Sequence, residues 1–88
     1  MLESKLEQRL VQRVKDLGGL AMKWVSPNLA GVPDRIVFLP GGRVILVEMK
    51  RPGGSTTALQ NRIHALLRHL GQDVRVIDSK EDVDAFPG

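Results

Sequence analysis

Two apolar segments around Pro40-Gly41-Gly42 place the strongest constraint on how this chain folds. Residues 35–39 and 43–49 are rich in Val, Ile, Leu and Phe, which favour strands. A Pro-Gly-Gly sequence is typical of a tight turn. The pattern therefore predicts a β-hairpin with these two segments as its strands.

The same hairpin brings charged residues together. If its loop is three residues long, Asp34 lies opposite Glu48, whereas a slip of one residue would change that partner. Lys50 follows Glu48 by two positions, so both side chains lie on one face of the strand. We therefore expect Asp34, Glu48 and Lys50 to converge at one end of the hairpin.

This convergence predicts a site for a divalent cation. Two carboxylates that lie opposite each other repel unless a counterion separates them. Mg²⁺ and Mn²⁺ prefer carboxylate, carbonyl and water oxygens, and such an ion can activate water and neutralise a phosphate. A nearby lysine can orient that water or stabilise the transition state. The alternative is an ordinary Lys–carboxylate pair at the surface.

The remaining segments predict a small α/β fold. Apolar residues at helical spacing indicate helices over residues 2–17 and 56–70, each followed by glycine. Short strands are expected at residues 21–25 and 74–77, and a short helical turn at 81–86. The order α-β-β-β-α-β is satisfied most simply by a mixed sheet with flanking helices.

The length of 88 residues suits one domain, covering residues 1–88. A chain this short has a thin core and commonly needs another source of stability. The chain has no cysteine, which excludes a disulfide framework and a cysteine-ligated zinc ion. We therefore expect a homodimer.

Hydropathy and charge indicate where the protein is located and which partners suit it. No uninterrupted apolar run exceeds four residues, so we expect no membrane span and no signal peptide, and hence a cytoplasmic protein. The net charge of +3 is divided into +6 over residues 1–72 and −3 over residues 73–88. The basic part suits a phosphate-bearing partner, and an ordinary solvated surface explains it equally well.

Several other side chains are candidates for a role near this site. Those that would contact DNA are Lys23, Arg35, Arg51 and Arg62. For Lys23 the alternative is a solvated lysine, and for Arg35 it is an ion pair with an acid. Trp24 alternates with apolar positions, so we expect it in the core rather than stacked on a base. His64 is expected on the surface of its helix.

Several segments of the chain resemble a known nuclease family. Pro33-Asp34, followed after thirteen residues by Glu48-Met49-Lys50, resembles the PD-(D/E)XK nuclease signature. The wider sequence resembles stand-alone VRR-NUC domains, which are common in bacteriophages. The similar segments are KWVSP at 23–27, GVPDR at 31–35, LPGGR at 39–43, VEMK at 47–50, LQ at 59–60 and LG at 70–71. The similarity covers residues 3 to about 80.

The resemblance implies a role for individual residues and a fold. Asp34 and Glu48 match the metal-binding acids of the family, and Lys50 matches its catalytic lysine. Gln60 matches a glutamine that assists at the site. The implied fold is a minimal restriction-endonuclease-like core.

The first helix carries two further acids, Glu3 and Glu7, on the side of its leucines. A carboxylate that faces the core is unfavourable unless it is paired or binds a metal. Glutamates near the start of a helix are also common, because they interact favourably with the helix dipole. The family has one metal-binding acid on this helix, which matches Glu3 or Glu7, and the sequence does not decide between them.

The resemblance implies a Mg²⁺- or Mn²⁺-dependent DNA endonuclease that hydrolyses phosphodiester bonds with metal-activated water. Because a chain this small has little surface for reading bases, we expect selectivity for DNA shape rather than for sequence. A two-fold dimer would present two sites to two strands, which suits branched DNA such as a Holliday junction.

Two alternative functions stay open. One is a generic nicking nuclease guided by a partner, such as a phage replication or packaging protein. The other is a non-catalytic DNA-binding or assembly module, against which the presence of Asp34, Glu48 and Lys50 argues. A phage origin would place the protein in the cytoplasm of a bacterial host.

Overall fold

A computed structural model describes residues 2–88 of the chain. Its elements, in chain order, are α1 (Glu3–Asp16), β1 (Leu20–Lys23), β2 (Arg35–Leu39), β3 (Arg43–Met49), α2 (Ala58–His69), β4 (Asp73–Ile77) and α3 (Lys80–Ala85). The expected α/β class and element order are confirmed, and the expected helical turn near the C-terminus is the short helix α3. No helix within this range is long and apolar enough to cross a membrane.

Helix α1 forms because its apolar residues recur at helical spacing and face the sheet. Leu6, Leu10 and Val14 are fully buried. Each such side chain contributes roughly 1.5–3 kcal/mol when it is removed from water. The helix ends before Gly18, which has a φ of 82° and donates its N–H to the carbonyl of Lys15 at 2.9 Å. A left-handed backbone of this kind is a common helix terminator.

The hairpin of β2 and β3 has the register that a three-residue loop predicts. Leu39 pairs with Arg43, and Arg35 pairs with Val47. The loop glycine Gly41 has a φ of 84°, a conformation that glycine adopts without the steric cost other residues meet. The turn chemistry therefore fixes which residues of the two strands face each other.

The sheet has the strand order β1-β2-β3-β4, with β3 and β4 parallel and the other neighbours antiparallel. Parallel neighbours need a crossover connection, and α2 supplies it. This helix begins with a capping box. The Thr57 hydroxyl accepts the Gln60 backbone N–H at 3.1 Å, and the Gln60 side chain accepts the Thr57 N–H at 2.9 Å.

The two faces of the sheet are covered differently. On the closed face, α1 and α3 pack over apolar side chains such as Val37, Ile45 and Val47. On the open face, α2 packs against β4 and reaches β3, but leaves β1 and β2 uncovered. Large apolar side chains of the open face that are 38–57 % exposed are Leu20, Met22, Phe38 and Val44.

Candidate active site

Asp34 and Glu48 lie together at the point where β2 begins and β3 ends. Oδ2 of Asp34 accepts a hydrogen bond from the backbone N–H of Met49 at 2.8 Å. This bond ties the residue before β2 to the end of β3, which carries Glu48. The hairpin register therefore does bring the two acids together.

Glu48 is a buried carboxyl group, with only 2 % of its side chain exposed. Burial raises the pKa of Glu48 to about 8, with further contributions from the hydrogen bond and the negative charge of Asp34. The Lys50 ammonium acts in the opposite direction. Glu48 is therefore protonated at neutral pH unless a cation offsets the cost of burying its charge.

Lys50 follows β3 directly and lies beside the acids. Its backbone N–H donates to the carbonyl of Ile77 at 2.9 Å, which extends the pairing with β4. Its Nζ lies 3.9 Å from Oε2 of Glu48, and 17 % of the side chain is exposed. The ammonium group thus sits between a buried carboxyl and solvent, where a phosphate ester could reach it.

His64 is a member of this cluster that the sequence analysis placed wrongly. It was expected on the surface of its helix, yet only 1 % of its side chain is exposed. Its Nε2 lies 3.5 Å from Oε1 of Glu48, on the open face of the sheet. The helical angle carried the signal, because at about 100° per residue His64 lies within about 60° of Leu67, on the apolar side of α2. Burial lowers the pKa of His64, so the imidazole is neutral.

The two acids of α1 have different environments. Oε1 of Glu7 accepts a hydrogen bond from Nε of Arg35 at 2.8 Å, and Arg35 also donates to the carbonyl of Ala21 at 3.2 Å. Glu7 is therefore held by a partner on β2. Glu3 is exposed, and its negative charge contributes to the raised pKa of Glu48. Of the two, Glu3 is the one whose charge acts on the acid pair.

Gln60 is half-buried on the sheet side of α2, one turn before His64. Its side-chain oxygen is engaged in the capping box with Thr57. The structure thus gives Gln60 a role at the start of the helix, and no hydrogen bond joins its side chain to Asp34 or Lys50 among residues 2–88.

A shallow cleft of about 240 Å³ lies beside Asp34, and its walls come from α1 and the end of β1. Its lining residues are Glu3, Glu7, Lys23, Trp24, Val25 and Asp34. The expectation that Trp24 belongs to the core is wrong. It follows the last residue of β1, where its backbone N–H donates to the carbonyl of Asp34 at 2.8 Å. Its side chain is half-buried and lines the cleft, outside the core cluster. Lys23 is exposed on the same cleft.

The other predicted DNA contacts fall in different places. Arg51 is exposed in the loop directly after Lys50, at the edge of the site. Arg62 is exposed on α2 and lies about 160° around the helix axis from His64, so it faces away from the sheet. Arg35 is largely buried in its ion pair with Glu7. Of these three arginines, only Arg51 is both exposed and adjacent to the acids.

The donor set of this site suits a hard divalent cation. Asp34 and Glu48 supply carboxylate oxygens, and a cation would offset the cost of burying the charge of Glu48 and its repulsion from Asp34. Within residues 2–88, no three His, Cys, Asp or Glu side chains lie close enough together to enclose a metal ion. A cation held by Asp34 and Glu48 would therefore take further ligands from water, backbone carbonyls or substrate oxygens.

A phage protein is similar to nearly the whole chain. "Putative nuclease p44" of Acyrthosiphon pisum secondary endosymbiont phage 1 is 49 % identical over 85 residues, which is 97 % of this chain and 91 % of that protein. A solved structure described as a VRR_NUC domain matches with a TM-score of 0.87 and 32 % identity, covering 93 % of this chain and 89 % of that one. The chain belongs to the VRR-NUC family. No protein-family model matches it, so its membership rests on these two similarities.

The VRR-NUC fold explains why the acids converge. Asp34 and Glu48 come from adjacent antiparallel strands at the edge of the sheet where β2 begins and β3 ends. Helix α1 reaches the same edge with its N-terminal residue Glu3. Glu3, Asp34 and Glu48 therefore lie near the same end of the sheet.

Proposed function

We propose that the chain is a DNA endonuclease that uses Mg²⁺ or Mn²⁺ and hydrolyses phosphodiester bonds. Its class, a nuclease, follows from membership of the VRR-NUC family. The observation that carries the metal dependence is the buried Glu48 beside Asp34, a pair whose burial is unfavourable without a counterion. We also propose that residues 1–88 act as one domain.

Asp34 and Glu48 would hold the cation through their carboxylates. When bound, the cation supplies positive charge for the scissile phosphate and lowers the pKa of a coordinated water. Asp34 keeps its orientation through the Met49 N–H, which leaves its other oxygen available. Lys50 would orient the attacking water or stabilise the negative charge that develops on the phosphate, since its Nζ lies on the solvent side of Glu48.

For the acid of the first helix, we propose Glu3 rather than Glu7. The ion pair between Glu7 and Arg35 would have to break before Glu7 could bind a metal. The charge of Glu3 already acts on Glu48, and Glu3 shares the cleft with Asp34. An assisting role for Gln60 stays a prediction, because its side chain would have to leave the capping box.

DNA would approach along the cleft beside Asp34. Lys23 on the wall of the cleft and Arg51 directly after Lys50 are exposed cations that can bind phosphates. Arg35 and Arg62 were also predicted to contact DNA. The first is engaged with Glu7 and the second faces away from the sheet, so we expect weaker contributions from both.

We further propose that the active form is a homodimer that associates through the open face. That face carries exposed apolar side chains of β1 and β2, namely Leu20, Met22 and Phe38. Apolar patches of this kind commonly mark interfaces, and a two-fold contact lets the same patch cover itself. A standard interface buries about 800 Å² on each partner, roughly one-seventh of the 5453 Å² surface of residues 2–88.

A dimer with two sites would suit branched DNA, including Holliday junctions. The test is cleavage of a supercoiled plasmid, a linear duplex, a flap and a four-way junction, each with Mg²⁺, Mn²⁺ or chelator. Lys50→Ala removes the proposed catalytic lysine, and Lys15→Ala, an exposed lysine in the last turn of α1, is the matched control. We expect paired cuts on the junction that need the metal and Lys50 but not Lys15.

Each other outcome identifies a different function. Lysine-dependent nicking of every substrate would indicate a generic nuclease whose selectivity comes from a partner, such as a phage replication or packaging protein acting in the bacterial cytoplasm. DNA binding without cleavage in any metal, by folded protein, would contradict the proposed activity and indicate a binding or assembly module.

A further inference from the structure

A buried polar pair lies beneath the proposed metal site. Nε2 of His64 and Oε1 of Glu48 are 3.5 Å apart, and the two side chains are almost fully enclosed. Among residues 2–88, neither of these atoms has a hydrogen-bond partner. Buried polar atoms are nearly always paired, so two unpaired polar atoms that face each other indicate a bond that forms in another state of the site.

The two oxygens of Glu48 face different surroundings. Oε1 points to the imidazole of His64, in the interior between α2 and β3. Oε2 points to Nζ of Lys50, on the side that reaches solvent. A cation that arrives from the side of Lys50 therefore meets Oε2, while Oε1 remains on the protein side.

Packing alone does not explain a histidine at position 64. The preceding residue, Ile63, is buried among apolar contacts, and an apolar side chain at 64 would fill the same space without an unpaired nitrogen. Nothing else in the described chain uses Nε2 of His64. The carboxyl group of Glu48 lies 3.5 Å from it, and the charges of Arg68, Asp34 and Lys50 also act on the imidazole.

We propose that His64 is a positioning residue for Glu48, whose Nε2–H donates to Oε1 and holds the carboxylate with Oε2 turned towards Asp34 and Lys50. The proposal rests on the proposed function, since the carboxylate that His64 positions is the one that binds the cation. Residues that support a metal ligand in this way fix its rotamer and raise the affinity of the site.

The test measures Mn²⁺ binding by the whole chain without DNA, from the electron paramagnetic resonance signal of free Mn²⁺. Three variants are compared with the wild type. His64→Leu removes the donor and keeps an apolar side chain, and His64→Gln restores an N–H donor at a similar reach. His69→Leu is the matched control, because His69 lies exposed at the end of the same helix.

We expect His64→Leu to weaken Mn²⁺ binding roughly 10–100-fold and to raise the Mg²⁺ concentration for half-maximal cleavage by a similar factor. His64→Gln should recover most of the affinity, and His69→Leu should bind like the wild type. The unfolding temperature of His64→Leu without metal should not be lower than that of the wild type, because the variant removes an unpaired buried nitrogen. This separates positioning from a structural role.

Two results would overturn the proposal, and they differ from failure of the proposed function. If the wild type binds Mn²⁺ and cleaves DNA while His64→Leu binds Mn²⁺ equally well, only the role of His64 is wrong. If His64→Leu and His64→Gln weaken Mn²⁺ binding equally, the proposed hydrogen-bond donation from residue 64 to Glu48 is wrong. Wild type that neither binds Mn²⁺ nor cleaves would overturn both proposals. If His64→Leu fails to fold, Mn²⁺ binding by His64→Gln is compared with that by His64→Asn. The N–H of asparagine lies one bond nearer the backbone, so equal binding by the two variants would contradict donation to Glu48.

Discussion

The closed and the open face of the sheet have opposite characters. The closed face is mainly apolar, with Leu6, Leu10 and Val14 of α1 packed on the sheet. Its charged residue Arg35 is paired with Glu7 of α1. The open face carries the two buried polar side chains, Glu48 and His64, next to apolar residues that solvent still reaches. One strand serves both faces, because alternate residues of β3 point in opposite directions.

This difference shows how a chain of 88 residues combines stability with chemistry. Burial of apolar surface on the closed face provides the favourable free energy that holds the sheet. The open face can then keep a carboxyl group in an unfavourable environment, where burial raises its pKa. The following experiments test this division of labour.

Glu48→Gln should have the largest effect, and only on activity. Glutamine resembles the protonated side chain in shape, but it cannot supply the charge that a cation needs. Cleavage should fall by more than roughly 100-fold, the upper end for losing a residue that only supports a metal ligand. Single-turnover cleavage measures this loss, and the unfolding temperature at pH 7 should stay near that of the wild type. A variant that cleaves normally would contradict the assignment of Glu48.

Leu10→Ala should have the largest effect on folding. It opens a cavity in the closed face, and such substitutions lower the free energy of unfolding by about 2–5 kcal/mol. Leu66→Ala is the matched change on the open-face helix, where Leu66 is 49 % exposed, and it should change stability by less than about 0.5 kcal/mol. Urea denaturation measures both. Equal losses would mean that the open face is as important for folding as the closed face.

Glu7→Ala should separate the two acids of α1. It leaves the largely buried guanidinium of Arg35 without its ion-pair partner, so the free energy of unfolding should fall by about 1–3 kcal/mol. Mn²⁺ binding should remain. Glu3→Ala should show the reverse, with nearly unchanged stability and weaker Mn²⁺ binding. Weaker binding in Glu7→Ala alone would assign the metal ligand to Glu7.

The titration of Glu48 should make stability depend on pH. The pKa of Glu48 is about 8 in the folded chain, against an ordinary value of 4.5. Between these values the folded state keeps a proton that the unfolded state has lost, so the contribution of Glu48 to stability falls as pH rises from about 4.5 to about 8. As pH rises, the unfolding temperature of the wild type should fall more steeply than that of Glu48→Gln. Parallel curves would mean that Glu48 ionises normally.

Phe38→Glu should have the smallest effect on the fold of the monomer. Phe38 is 42 % exposed on the open face, so the free energy of unfolding of the monomer should change by less than about 0.5 kcal/mol. If two copies associate through this face, the charge should separate them, and light scattering would report half the mass. Lys15→Glu, on the exposed side of α1, should leave the mass unchanged. A Phe38→Glu protein that stays dimeric would place the interface elsewhere.

Local features of the sequence predicted much of the fold. The Pro-Gly-Gly turn set the pairing of Leu39 with Arg43, and the spacing of apolar residues predicted a helix over 56–70, close to the observed Ala58–His69. Such features are predictable because turn and cap geometry depends on a few adjacent residues. The approach of Asp34 to Glu48 followed from the same short-range rule.

Contacts between distant segments were harder to predict from the sequence. The burial of His64 depends on how α2 lies over β3, and the position of half-buried Trp24 depends on the cleft between α1 and the end of β1. The choice between Glu3 and Glu7 depends on Arg35, which is distant in sequence and adjacent in space. None of these follows from spacing along one element.

The sequence by itself determined the order of elements, the hairpin register and the meeting of Asp34, Glu48 and Lys50, because each depends on periodicity or on one tight turn. The tertiary structure alone decided which side chains became buried next to these residues. It enclosed Glu48 and His64 together and paired Glu7 with Arg35. The physical reason is that burial and pKa depend on all the elements packed around a group, whereas a sequence pattern describes one element at a time.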